Sequence, residues 1–331
     1  MAQVYVTEGH SGNTGLRVGV VGAGATGGYL AARLANAGLP VTLMARGASL
    51  DRIRSNGIEV FGPGNQRLHG IPQRVVDARD ETEPVDLLLF CVKSNDTDKA
   101  ASNIKSLVDD TSYILCLQNG VENEQILATQ YGSERILSGV LYVGVEREAP
   151  GKIRCTSEPQ IIFGHYRPSG GGEPKKVSDA SQAVKNVFDK AGIECTIDNN
   201  IMMAKWQKFL FNCGLNPLTA LTMQRLDSLL SSDDGIRLFE SLVDEAITVA
   251  KASKAPIQEN AKAKVMKTAR TMNISSSMAE DLAAGRPLEL NAFTGFIRAR
   301  GKELGVETPT TDVIGRLLAV VDPARQNASI R

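Results

Sequence analysis

The sequence predicts an α/β protein: an N-terminal, Rossmann-type doubly wound domain followed by an all-helical C-terminal domain. Three observations carry this expectation. An apolar run, Val18–Val21, turns directly into Gly22-x-Gly24-x-x-Gly27 and then into a helical pattern. Further continuous apolar runs at 85–92 and 112–117 alternate with helical patterns, as buried parallel strands do. From Asn199 onward, the periodicity is helical almost throughout.

In the first element, Gly22 permits a tight turn, Gly24 lets the backbone approach a pyrophosphate, and Gly27 lets the helix lie close on its strand. The turn Gly22, Ala23, Gly24, Ala25, Thr26 and Gly27 is therefore the expected cofactor-binding segment, because amides at a helix start and the helix dipole both favour an anion. A helix over 29–37, a stop at Gly38 and a second strand over 41–45 complete a βαβ start.

The end of the second strand distinguishes between dinucleotides. NAD sites place an acid about 20 residues after the glycines to accept from the ribose 2′-hydroxyl, whereas an arginine suits a 2′-phosphate. This chain has Arg46 there and no adjacent acid, which favours NADP(H) through a forked, charge-assisted contact.

A chain of 331 residues exceeds the size of a single core, and 42% apolar content can fill two. With 37 basic and 37 acidic residues the formal charge is zero, so neither nucleic acid nor an anionic membrane is an expected partner. No run approaches spanning length. Residues 1–16 hold no Lys or Arg and match no targeting signal; they are expected to form a flexible extension of a cytoplasmic protein. Five scattered cysteines, Cys91, Cys116, Cys155, Cys195 and Cys213, show no C-x-x-C spacing, so no metal site and no disulfide framework is expected. A small molecule is the expected partner, and the sequence leaves room for a homodimer.

Each central strand ends in polar residues, Lys93 in one case and Gln118-Asn119-Gly120 in the other, where open α/β sheets place their ligands. Lys93 and Asn119 are thus cofactor or substrate candidates. The stretch 135–164 has strand character, with Pro150-Gly151 as a turn between 140–146 and 152–155. A Gly- and Pro-rich loop at 168–174, a helix at 178–191 and a short strand at 194–197 close the domain. The expected divisions are 1–16, 17–198 for the NADP-binding domain and 199–331 for the helical substrate and catalytic domain.

The first helix of that second domain carries Lys208, Asn212 and Asn216 at intervals of four, so they share one face among Phe209, Leu210, Phe211, Cys213 and Leu215. An ammonium and two carboxamides in such surroundings need polar partners, and a lysine beside apolar walls can donate a proton near neutral pH. That suits carbonyl reduction, in which charge builds on oxygen as hydride reaches carbon. His10, His69 and His165 stand in no catalytic context, and no Tyr precedes a Lys by four residues, which leaves Lys208 as the candidate acid. Ser277-Met-Ala-Glu280 has capping-box spacing, so Ser277 is expected to open a helix whose amides suit a carboxylate, although capping alone explains the spacing equally well.

These residues resemble the ketopantoate (2-dehydropantoate) 2-reductase family over about 16–319. The resemblance includes the glycine turn, Arg46, Val92-Lys93, Asn119-Gly120, Pro150-Gly151, Lys208-x-x-x-Asn212-x-x-x-Asn216-Pro217-Leu-Thr-Ala220, Ser277-Met278-x-x-Asp281 and Glu289-Leu-x-x-x-x-Gly295-Phe. It implies an NADP-dependent oxidoreductase acting on CH–OH groups. It also implies Lys208 as acid with catalytic Glu289 beside it, Asn212, Asn216 and Ser277 on the substrate, and Lys93 and Asn119 lining the cofactor. Three positions depart from the family: Ile274, preceded by Asn273, stands where an Asn is usual, Leu226-Asp227 replaces Asn-Gly, and Asn291 replaces an acid.

The expected function is NADPH-dependent reduction of ketopantoate to pantoate in pantothenate and coenzyme A biosynthesis. Reduction of another branched or aromatic 2-keto acid, and a non-catalytic NADP(H)-binding sensor, stand as alternatives.

Overall fold

A computed structural model describes residues 15–168 and 178–326. The extension therefore lies outside the described residues except for Gly15 and Leu16, as does the 168–174 loop beyond Pro168. The chain forms two compact units, one from Met1–Gln118 and Asn123–Ile201, the other from Asn119–Glu122 and Met202–Arg331. Asn119, expected within an unbroken 17–198 segment, thus belongs by packing to the helical unit.

The first unit begins with β1 (Val18–Val21), α1 (Ala25–Asn36), β2 (Val41–Met44), α2 (Gly47–Asn56), β3 (Ile58–Phe61), β4 (Arg67–Gly70), β5 (Arg74–Val76) and β6 (Leu87–Phe90). It continues through α3 (Thr97–Asn103), β7 (Tyr113–Cys116), α4 (Asn123–Tyr131), β8 (Ile136–Tyr142), β9 (Val145–Ala149), β10 (Lys152–Cys155), β11 (Gln160–His165), α5 (Asp179–Lys190) and β12 (Glu194–Ile197). The main sheet has the order β12-β11-β8-β7-β6-β1-β2-β5. Its strands pair in parallel except β11 with β8. The strands after β1 fill one side and then, from β6, the other, so the topological switch point lies between β1 and β6. Val21 is in register with Phe90 there, and Cys91 N–H donates to the Val21 carbonyl at 3.0 Å.

A second sheet, β4-β3-β10-β9, was not anticipated. It covers the outer side of α1: a Cβ on Gly70 would lie 2.4 Å from Ala32 Cα, and one on Gly28 would lie 2.7 Å from Ile153 Cδ1. Sandwiched between sheets, α1 buries Gly27 through Ala32 without a break. The strand character at 140–146 is interrupted at Val143-Gly144, where the chain leaves β8 in the main sheet for β9 in the second. Gly151, at φ 70°, turns β9 into β10 as the Pro-Gly pair requires.

The second unit is helical: α6 (Ile201–Thr222), α7 (Leu226–Leu229), α8 (Asp233–Ala252), α9 (Ala261–Thr271), α10 (Ser277–Ala283), α11 (Thr294–Leu304), α12 (Pro309–Val321) and α13 (Pro323–Gln326). Aromatic rings organise its core, with Phe209 stacked on Phe293 at 6.2 Å and edge-on to Trp206 at 5.3 Å. Ser232 caps α8 by accepting from Gly235 N–H at 3.0 Å. Glu245 on α8 accepts from Thr310 N–H and Thr311 N–H, each at 2.8 Å, and so closes the first turn of α12. No helix among the described residues is long and apolar enough to cross a membrane.

Candidate active site

In the first unit the glycine turn sits at the carboxyl end of β1, on the switch point. Gly22 has φ 101°, a conformation that L side chains rarely adopt. A Cβ on Gly27 would lie 1.9 Å from the Gly22 carbonyl oxygen, so only glycine lets α1 start against the turn. A Cβ on Gly24, by contrast, would meet nothing within 4 Å. Gly24 also begins α1 without a side-chain cap, and the first-turn amides of a helix have no partners within it. Open space above Gly24, together with uncapped amides at Ala25 and Thr26, fits the pyrophosphate of a dinucleotide.

Arg46 follows β2 as the first residue before α2, with its side chain 72% exposed. Its guanidinium holds Asp96 at 2.7 Å. An acid thus reaches Arg46 from the turn that follows β6 rather than from the end of β2. Sequence reasoning passed over Asp96, because nothing in the spacing shows a contact between segments 50 residues apart. Lys93 is half-buried at the start of that turn, residues 94–96. Behind it, Gln118 Nε2 donates to Thr97 Oγ1 at 2.8 Å, Thr97 Oγ1 donates to Asn123 Oδ1 at 2.9 Å, and Asn123 Nδ2 donates to Ser94 Oγ at 3.3 Å. This buried chain joins the turns after β6 and β7 and so holds the Lys93 segment in place.

In the second unit α6 presents Lys208, Asn212 and Asn216 on one face, as expected from their spacing. Asn212 and Asn216 are buried and Lys208 is half-buried. Pro217 lies inside α6 and has no N–H to give the Cys213 carbonyl. Gly214 allows close packing at the same level, since a Cβ there would lie 2.6 Å from the Phe239 ring. Loss of water around the ammonium, reinforced by the buried Lys205 cation one turn away, pushes the Lys208 pKa down to about 7. A lysine so tuned can hold and release a proton at neutral pH.

The expected helix does start at Ser277, but its capping residue requires correction. Ser276 is the residue that caps α10, accepting from Ala279 N–H at 3.1 Å, while Ser277 is exposed at the first helical position. Any of three consecutive serines could have capped. Ser276 prevails because its hydroxyl is buried and accepts from Thr219 Oγ1 at 2.7 Å. In this register Met278 and Ala279 face the core and Glu280 faces water. A start one residue later would rotate them by about 100°. Glu289 is half-buried and precedes a short 3-10 turn, Leu290–Ala292. The Arg286–Asp281 pair at 2.8 Å and Leu288 N–H on Asp322 Oδ1 at 3.2 Å fix the backbone leading to it.

Two of the departing segments meet. Leu226 N–H donates to the Ile274 carbonyl at 2.8 Å, and the Arg225 guanidinium bonds both the side chain and the carbonyl of Asn273. Among the described residues, no group of three or more His, Cys, Asp or Glu could hold a metal ion.

Comparison with known proteins bears on this arrangement. The family profile described as Ketopantoate reductase PanE/ApbA matches residues 18–168, and the one described as Ketopantoate reductase PanE/ApbA C terminal matches 200–322. A 2-dehydropantoate 2-reductase of Halobacterium salinarum is 30% identical over 305 residues, which cover 92% of this chain and 98% of the relative. The crystal structure of 2-dehydropantoate 2-reductase from Geobacter metallireducens superposes with a TM-score of 0.81 at 30% identity, covering 92% of this chain and 99% of that one. A D-mandelate dehydrogenase solved with NADH and anilino(oxo)acetate shares the fold at a TM-score of 0.84, with 21% identity over 94% of this chain and 100% of that one.

Proposed function

The chain belongs to the ketopantoate reductase family and is an oxidoreductase acting on CH–OH groups, and on that premise we propose that it reduces 2-dehydropantoate to pantoate with NADPH. The observation that carries this reading is the α6 stripe, in which Lys208, with a pKa near 7, shares a face with Asn212 and Asn216. The glycine turn and the first amides of α1 would hold the pyrophosphate, Arg46 the 2′-phosphate, and Lys93 and Asn119 the nicotinamide side. Bound there, the nicotinamide supplies a hydride to a ketone carbon.

The chain's own residues do the rest. Lys208 Nζ donates a hydrogen bond to the ketone oxygen, stabilises the charge that builds there and delivers the proton. The carboxamides of Asn212 and Asn216 orient the substrate, Ser277 Oγ takes its carboxylate, and Glu289 stands by Lys208 as the second catalytic group, as the family resemblance implies.

The test is NADPH oxidation, followed by absorbance, against 2-dehydropantoate and a panel of branched and aromatic 2-keto acids. Highest kcat/KM for 2-dehydropantoate is expected. A higher value for another 2-keto acid reassigns the substrate but keeps the reaction. Tight NADPH binding with no turnover of any member would make the chain a sensor.

A further inference from the structure

The Arg46–Asp96 pair bears on cofactor choice in a way that Arg46 alone does not. Strands β2 and β6 both flank β1, so their carboxyl ends bring residues 50 positions apart to 2.7 Å. Arg46 is 72% exposed and Asp96 42%, so water screens the pair and it contributes little to holding the fold. Nor is Asp96 occupied as a helix cap: it precedes α3, but its carboxylate makes no capping bond.

A guanidinium already matched by a carboxylate is a weakened phosphate receptor. A 2′-phosphate reaching Arg46 must displace Asp96 or accept a like charge a few ångströms away. A ribose 2′-hydroxyl meets the opposite situation. A carboxylate is the acceptor that NAD sites provide for it, and here one arrives from the turn after β6 instead of the end of β2. Building on the NADPH reading above, we infer that Asp96 is a specificity-determining residue of the cofactor site: paired with Arg46, it loosens the grip on a 2′-phosphate and offers a hydroxyl acceptor, so that the site admits NADH alongside NADPH.

The test measures dissociation constants of NADPH and NADH by titration calorimetry, without substrate, for the wild type, Asp96→Asn, Asp96→Ala and Arg46→Ala. Asn keeps the shape of Asp96 and removes its charge, while Ala removes the acceptor as well. Both Asp96 variants should melt near the wild-type temperature, tighten NADPH and weaken NADH. The NADPH-to-NADH preference should rise about three- to tenfold, the scale of one charge interaction in a water-exposed site. A preference that stays within about twofold of wild type in both variants, or that falls, overturns the inference. An NADPH preference that Arg46→Ala abolishes while Asp96→Asn leaves it alone overturns this inference only. A wild type that binds neither dinucleotide overturns the NADPH reading and the inference with it.

Discussion

Thr219 on α6 donates its hydroxyl hydrogen to Ser276 Oγ at 2.7 Å, which ties the helix bearing Lys208 to the residue that starts α10. Thr219→Val keeps the volume and removes the donor. It should cost about 1 kcal/mol of stability, seen as a lowered Tm in calorimetry. The KM for the keto acid should rise while the Kd for the cofactor stays unchanged. Ser276→Ala loses both the cap and the acceptor and should cost about 1–2 kcal/mol.

Lys208→Ala should retain the fold and NADPH binding but lose about 10²–10⁴-fold in kcat. In the wild type, the rate of reduction should fall about tenfold per pH unit above pH about 7, because the acid must carry its proton. Lys205→Gln removes the like charge that helps depress Lys208, so the falling limb of the pH profile should move to higher pH. A limb that stays in place would take Lys205 out of the account.

Arg46→Ala should weaken NADPH binding roughly ten- to a hundredfold, the scale of a lost charge-assisted phosphate contact, with little effect on NADH. Equal affinity for the two cofactors before and after the change would remove Arg46 from phosphate recognition.

Ser277→Ala should raise the KM for the keto acid more than it lowers kcat, and leave the KM for NADPH alone. Ketones and esters that lack a free carboxylate should be poor substrates, since a site built for polar contacts rejects ligands that leave them unmade. Efficient turnover of a plain ketone would rule out carboxylate recognition while leaving the reductase chemistry in place.

The glycine turn separates fold from binding. Gly24→Ala adds a methyl group where nothing lies within 4 Å, so the protein should melt normally yet bind dinucleotide poorly. Gly27→Ala forces a methyl group to 1.9 Å from the Gly22 carbonyl oxygen and should lower the Tm itself. Thermal melts alongside calorimetric titrations check both.

The central strands β1, β6 and β7 were legible because strands covered on both faces are written as unbroken apolar runs. The α6 stripe was legible because polar residues recurred at helical spacing against an apolar background. The second sheet was not. Its strand β10 at 152–155 and the start of β9 were readable as strands, but β3 and β4, four residues each and carrying Glu59 and Arg67, were not, and nothing in the spacing shows that these four pair in a sheet of their own. Asp96 escaped notice because strand order, not spacing, delivers it to Arg46. Ser276 escaped because a run of three serines offers three equivalent caps, and only Thr219, 57 residues away, selects one.

Lys208 also carries a thermodynamic signature. The unfolded chain would hold its proton up to the ordinary lysine value of 10.5, whereas the folded chain gives it up near pH 7. Between those limits the unfolded state binds more protons, so this residue makes the fold more stable as the solution becomes more alkaline. Below pH 7 the folded state carries the whole cost of keeping an ammonium in poorly hydrated surroundings. Lys208→Met should therefore stabilise the protein most in acid and neutral solution, with an advantage that shrinks toward pH 10.5. The proton donor and the sturdiest version of this helix are competing demands on one position.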